Sequence, residues 1–294
     1  MTPDLEIITE QVGTELIYQQ DKAQIDTQIA TAKAYPRDVM QCVNDSIATV
    51  TMDIATAQTC SYALPRGGKT ISGPSVHLAL ILAQNWGNLR IEAKVASIDN
   101  KTITSQAVCF DLQKNIAIKV EVKRSIMTKT GRMNDDMITV TGNAANSISL
   151  RNAILKVIPK AVVDKVSQSA KQLILGDISD ETKFIKKVND ILGKFLKTYG
   201  VTEAECLNSV GKPTTATLTP DNLITLIGYA QSIKDGDSTA DLIFRLKKVN
   251  DQSKVEKVDT NKLKIRIAQA KNLESLEKLK KDIPEDDTDL FTIY

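Results

Sequence analysis

Between Leu89 and Lys123 apolar and polar residues alternate with a period of two, in runs separated by turn residues. Leu89, Ile91, Ala93 and Val95 alternate with Arg90, Glu92 and Lys94. Asp99-Asn100 reads as a turn, Thr102 to Phe110 as the next strand, and Gln113-Lys114-Asn115 as the next turn. Ile116, Ile118, Val120 and Val122 then alternate with Ala117, Lys119, Glu121 and Lys123. Successive strand side chains point to opposite faces, so this pattern calls for an antiparallel sheet with one face on a core and one in solvent. On the solvent face Arg90, Lys94, Lys119 and Lys123 form a cationic field, diluted by Glu92 and Glu121.

The flanking segments read as helices. Pro36 is well placed in a first turn, and Val39, Val43, Ile47, Val50 and Ile54 follow as one apolar stripe. Residues 125–137 read as a flexible loop, basic and then acidic. A long helical pattern runs from about Ile138 to Leu175, with Pro159 expected to kink or split it. Ile148, Leu155, Ile158, Val162, Val166 and Leu173 are its expected buried side; Asn152, Lys156 and Lys160 recur every four residues on another. The expected class is α+β: a small antiparallel β-meander and a basic hairpin turn packed on long helices, followed by a small all-α C-terminal module.

Residues 1–35 read as a loosely held N-terminal arm with a helical tendency and a role in oligomerisation, and 36–175 as the core. Gly176-Asp177 marks the expected boundary to a helical module, 176–245. In that module Thr202 with Glu205 forms a capping-box pattern, Thr219-Pro220 opens a helix that stops at Lys234-Asp235-Gly236, and Ser238 can cap a last short helix through Phe244. Residues 246–294 read as a linker, a charged helix and an acidic tip.

Charge is distributed unevenly. Residues 1–61 carry 3 basic and 9 acidic side chains, 62–171 carry 16 and 7, and 172–294 carry 19 and 20. The basic excess therefore sits on the middle segment, and such a surface attracts polyanions through counterion release. Cys42, Cys60, Cys109 and Cys206 are scattered without a C-x-x-C pair, which argues against a disulfide framework and a zinc site. His77 is the single histidine, on an apolar helix, and reads as a partly buried structural residue. No apolar run reaches spanning length and the N-terminus is acidic, so a cytoplasmic location is expected.

The segment from Thr59 to Arg90 places a basic glycine turn between a short strand and a helix opened by Gly-Pro-Ser. Backbone N–H groups of Gly67 and Gly68, with the cations Arg66 and Lys69, suit a phosphate, and the Ser75 region could add a second anion site. Gly68-Lys69-Thr70 also matches the end of a nucleotide-binding P-loop, but Ala63 stands where its first glycine belongs, and Gly73-Pro74 interrupts the helix that should follow. Ala107 to Asp111 imitates a magnesium-binding strand, yet lies in a meander. Asp135 and Asp136 fit a helix N-terminus better than a metal centre. No cofactor is called for.

Aromatics make up 4% of the chain, and Tyr62, Trp86 and Phe110 are those of the basic segment before the long helix. Trp86 reads as core, so backbone gripping is favoured over base stacking.

Two stretches taken together carry a resemblance. One comprises SYALPRGGKTISGPSVHLA, the meander ending IKVEVKRS, and GRMNDDMITVTGNAANSISLRNAILKVIPKAVVDKV; the other is YGVTEAECLNSVGKPTTATLTPDNLITLIGYAQSIKDGDSTADLIF. The combination resembles the phage-encoded single-strand annealing recombinases, the broad RecT/Erf-type group. The resemblance implies ATP-independent binding of single-stranded DNA and annealing of complementary strands in phage recombination, by a non-hydrolytic homo-oligomer, ring or filament. It also implies a phage exonuclease and a host single-strand-binding protein as partners, in the host cytoplasm. From the residues of this chain the candidate DNA contacts are Arg66, Gly67, Gly68, Lys69, Arg90, Lys94, Lys119, Lys123, Arg151, Lys156 and Lys160. The alternatives are a P-loop-like nucleotide hydrolase using the Lys69 turn, and a structural or assembly protein with a basic face. The tip bearing Asp286, Asp287, Asp289, Leu290 and Phe291 reads as a partner-recruiting tail or a solubilising end.

Overall fold

The computed structural model describes residues 3–66, 69–128, 130–176 and 181–245. It is α+β. Helix α1 (Pro3–Ala34) is followed by α2 (Val39–Val50), α3 (Ile54–Thr59), a hairpin of β1 (Ser61–Arg66) and β2 (Lys69–Pro74), and α4 (Val76–Trp86). The meander β3 (Leu89–Ile98), β4 (Thr102–Asp111) and β5 (Ile116–Ser125) comes next. A small hairpin of β6 (Met127–Thr128) and β7 (Gly131–Arg132) leads into α5 (Asp135–Val157) and α6 (Lys160–Leu175). Helices α7 (Glu181–Tyr199), α8 (Glu203–Ser209) and α9 (Pro220–Lys234) follow.

The meander forms as its alternation requires. Its order is β3-β4-β5, antiparallel throughout, with Ala93 opposite Ala107 and Ala107 opposite Val120. The register shifts between Val95 and Ser97, a bulge that puts one extra residue into the edge strand β3. Helix α5 covers one face. On that face Ser105 is fully buried and donates to Asn146, while its hydroxyl lies 2.8 Å from that of Ser149. Gly142 permits the close approach: a Cβ there would stand 2.9 Å from the Ile103 side chain.

Several helix boundaries differ from the expected ones. Asp38, not Pro36, opens α2: its carboxylate accepts from the N–H groups of Met40 and Gln41. The helix stops at Val50, and Asp53 caps the separate α3. The expected stripe therefore breaks up. Val43 and Val50 are buried with Cys42 and Ser46, whereas Val39 and Ile54 are exposed. The long helix does split at Pro159, which stands immediately before α6. Its buried side is turned from the expected one, because α5 packs against both the sheet and α4. Small residues (Gly142, Ala144, Ala145, Ser149, Ala153) fill the contact, and Ile148 and Leu155 are half-buried. Ile158 and Val166 are buried as expected. The loop before α5 is partly ordered as β6–β7, and Asn134 caps the helix.

Helix α1 is continuous, and from Glu15 onward it is largely exposed apart from the buried Ala32 and the half-buried Ile25 and Ile29. The capping box at Thr202 and Glu205 and the helix start at Thr219-Pro220 are both present.

Residues 1–240 cluster as one unit, so packing does not divide at Gly176. Helix α9 lies on β1: a Cβ on Gly228 would come within 2.8 Å of the Ala63 nitrogen and the Tyr62 carbonyl carbon. The buried Tyr229 hydroxyl is 2.9 Å from that of Thr70. Asp241–Arg245 belongs to a second unit and forms a five-residue π-type turn in which Arg245 donates to Asp241, rather than a helix capped at Ser238. The linker, charged helix and acidic tip assigned to 246–294 lie outside the described residues.

Candidate nucleic-acid interface

Since α5 takes the face bearing Val95, Ile103 and Ser105, alternation directs the others outward. The register aligns them in rows across β3, β4 and β5: Arg90, Phe110, Ala117; then Glu92, Val108, Lys119; then Lys94, Gln106, Glu121. Thr104 and Lys123 continue the face beyond the bulge. The polar side chains on the two edge strands are exposed save Arg90, which is half-buried, and the central Phe110, Val108 and Gln106 are half-buried. The face is thus an apolar and polar ridge on β4 between two charged edges.

The cations on these edges are held differently. Arg90 reaches Glu92 at 2.6 Å and donates to Gln28 of α1 at 3.3 Å. Lys119 lies 3.7 Å from Glu121, and Lys123 3.8 Å from Asp99. No carboxylate among the described residues pairs with Lys94. Asp99 is itself held at about 2: the Thr102 hydroxyl donates to it first of all, then the N–H groups of Lys101 and Thr102. The Lys119–Glu121 and Lys123–Asp99 contacts are exposed and long, and such pairs open easily to a competing anion, whereas Arg90–Glu92 is short.

The other candidate residues fall elsewhere. Arg66 and Lys69 are the last cross-strand pair of β1–β2 and are exposed; Gly67 and Gly68 lie outside the described residues. Lys156 is in the last turn of α5. Lys160 opens α6 and pairs with Asp164 at 2.5 Å, so the expected stripe with Asn152 is interrupted at Pro159. Arg151 is enclosed, only 8% exposed: its guanidinium lies 4.2 Å above the Tyr62 ring. Its charge bears on Asp237, which also pairs with Arg124 at 3.7 Å. Arg151 ties α5 to β1 and presents no open surface to a strand. His77 is half-exposed and bonds the Asp235 carboxylate at 3.0 Å.

Asp111 and Trp86 belong to the interior. Arg37 grips Asp111 through two hydrogen bonds, donates to the Gly87 carbonyl, and lies 4.9 Å from the Trp86 ring centroid. The Asp111 carboxylate is therefore committed, and the Lys69 turn lies in an antiparallel hairpin instead of leading from a parallel strand into a helix. Among the described residues no helix is long and apolar enough to cross a membrane. The chain matches no family model, no curated protein and no solved structure.

Phe110 is the residue that a reading for cations passed over. Its parity in β4 puts it beside Arg90 and on the same face as Lys119, a placement that follows from the alternation once the strands are paired.

Proposed function

We propose that this chain binds single-stranded DNA and anneals complementary strands without nucleotide hydrolysis, working as a homo-oligomer. One observation carries the reading: the face of the β3–β4–β5 sheet turned away from α5, where Arg90, Lys94, Lys119 and Lys123 outnumber Glu92 and Glu121 around a central ridge. Annealing requires no bond chemistry. It requires cations to offset repulsion between two phosphate backbones, and bases left accessible to a second strand. A shallow face with cations on its edges meets both needs, whereas a deep pocket would hide the bases. The resemblance to RecT/Erf-type annealing proteins agrees with this, and a phage exonuclease and a host single-strand-binding protein are the partners it proposes. The hydrolase reading finds less support, since Asp111 is occupied by Arg37 and Lys69 lies in an antiparallel hairpin.

The test is duplex formation between complementary labelled oligonucleotides, without ATP or magnesium, followed by energy transfer. The expected result is acceleration by the wild-type protein and its loss in a Lys119→Glu, Lys123→Glu double variant. Absence of oligonucleotide binding even at low salt overturns the proposal.

A further inference from the structure

Phe110 has an unusual position for one of the chain's few aromatic residues. It sits on the central strand, yet on the face turned away from α5. Its side chain is half-buried, at the end of the sheet where Gln28 of α1 reaches Arg90. Ala117, on β5, is small, and Arg90, on β3, is bonded to Glu92 and Gln28. Among the described residues no aromatic ring or guanidinium stacks on it. Val108 extends the apolar ridge by one more outward position, next to Lys119.

Resting on the single-strand reading above, we propose that Phe110 is a base-stacking residue: one nucleobase of the bound strand lies against its ring while Arg90, Lys94, Lys119 and Lys123 hold the flanking phosphates. The arrangement combines the two elements of sequence-tolerant single-strand binding, a π-surface and cations along the backbone path. Every base has a π-face, so no sequence preference is needed. Stacking also leaves the Watson–Crick edge of the base unused, so a base resting on Phe110 remains open to pairing with an incoming strand. An aromatic contact and annealing are therefore compatible, provided that the ring is offered from below the base. The strand thus gains a fixed register on each protomer, one base per Phe110.

The test compares an oligothymidylate with an abasic strand of the same length, which has the same phosphates and no bases, by anisotropy over a range of salt. Phe110→Ala should weaken oligothymidylate binding on the order of 5- to 150-fold and leave abasic binding unchanged. Phe110→Leu, which keeps an apolar side chain there, should show most of that loss, and Phe110→Trp should restore binding. The salt slope should stay the same in all three, because no phosphate contact is removed. Equal losses on both strands, or no loss on either, overturn the inference while wild-type binding upholds the single-strand reading. A change of oligomeric state in Phe110→Ala without DNA would also overturn it, by making the ring a contact between chains. Failure of the wild type to bind either strand removes the function itself.

Discussion

Arg37 and Asp111, 74 residues apart, meet through two hydrogen bonds of 2.5 and 2.9 Å with both side chains no more than 5% exposed. The pair joins the segment before α2 to the end of β4. Asp111 also accepts from the N–H groups of Gln113 and Lys114, so it shapes the β4–β5 turn as well. Burial alone would raise its carboxyl, but the Arg37 hydrogen bond and charge, with those N–H groups, hold it below the ordinary value. Removing one partner leaves a buried charge alone. Arg37→Ala is expected to cost about 3 to 5 kcal/mol in denaturant unfolding. Arg37→Lys should recover little, since an ammonium cannot reproduce the two-pronged contact. A carboxyl lowered in the folded state stabilises above its unfolded value, and that contribution disappears as pH falls through the folded one. The wild-type advantage over Asp111→Asn should therefore shrink below about pH 4, and an advantage independent of pH would contradict the assignment.

Asp237 should behave in the opposite sense. Burial raises its carboxyl; the Arg151 and Arg124 charges pull it down only in part, and Asp235 pushes it up. A carboxyl raised in the folded state contributes most while protonated, below its unfolded value, and loses that contribution as pH rises through the folded one. The stability of wild type relative to Asp237→Asn should thus fall as pH climbs above about 4, the ordinary aspartate value. Urea titrations of both proteins across that range measure it. A difference that grows with pH would mean that the two arginines dominate.

Gly228→Ala sets two effects against each other. Alanine favours a helix by about 1 kcal/mol over glycine. Its Cβ, however, would lie 2.8 Å from backbone atoms of Tyr62 and Ala63, which cannot swing aside as a side-chain end can. Overpacking of this kind costs about 1 to 3 kcal/mol, so the substitution is expected to lower the melting temperature. Tyr229→Phe, which removes only the hydroxyl bonded to Thr70, should cost about 1 kcal/mol. A stabilised Gly228→Ala would mean that α9 lies farther from β1.

All four cysteines are buried, and burial pushes Cys60 up to about 11 and Cys109 and Cys206 up to about 12. Glutamates 203 and 205 add to the effect at Cys206, and Asp111 at Cys109. With so little thiolate, these three should react with an aromatic disulfide on the order of 100-fold more slowly at pH 8 than in denaturant. A rapidly titrating Cys60, Cys109 or Cys206 in the native protein would contradict this placement.

The meander was legible almost residue by residue, because a period of two in its first and third runs admits few alternatives and Asp99-Asn100 and Gln113-Lys114-Asn115 mark its turns. The break at Pro159 was legible for a steric reason. Asp38 and Asp53 were readable as caps, yet the apolar residues Val39 and Ile54 drew the helix through them. The Arg37–Asp111 pair had no local signal, since nothing in either segment specifies a partner so far along the chain. The sequence marks Arg151 only as a basic residue of the middle segment and hence a candidate DNA contact. Its burial depends on Tyr62 and Asp237, which arrive from β1 and from beyond α9. Of the candidate interface, the edge-strand cations followed from alternation, whereas the outward side of β4 emerged only when pairing fixed its parity.

The close seat of α9 on β1 bears on how the chain is made. Thr70 and Tyr229 are 159 residues apart, so the β1–β2 hairpin leaves the ribosome long before the helix that covers it. A nascent chain that has reached Gly176 holds Tyr62 and Ala63 with no Gly228 to shelter them, and with Asp237 still untranslated beside Arg151. Completion of this unit therefore waits until α9 and Asp237 have been made, and a gene fragment ending at the α6–α7 junction encodes an unfinished fold.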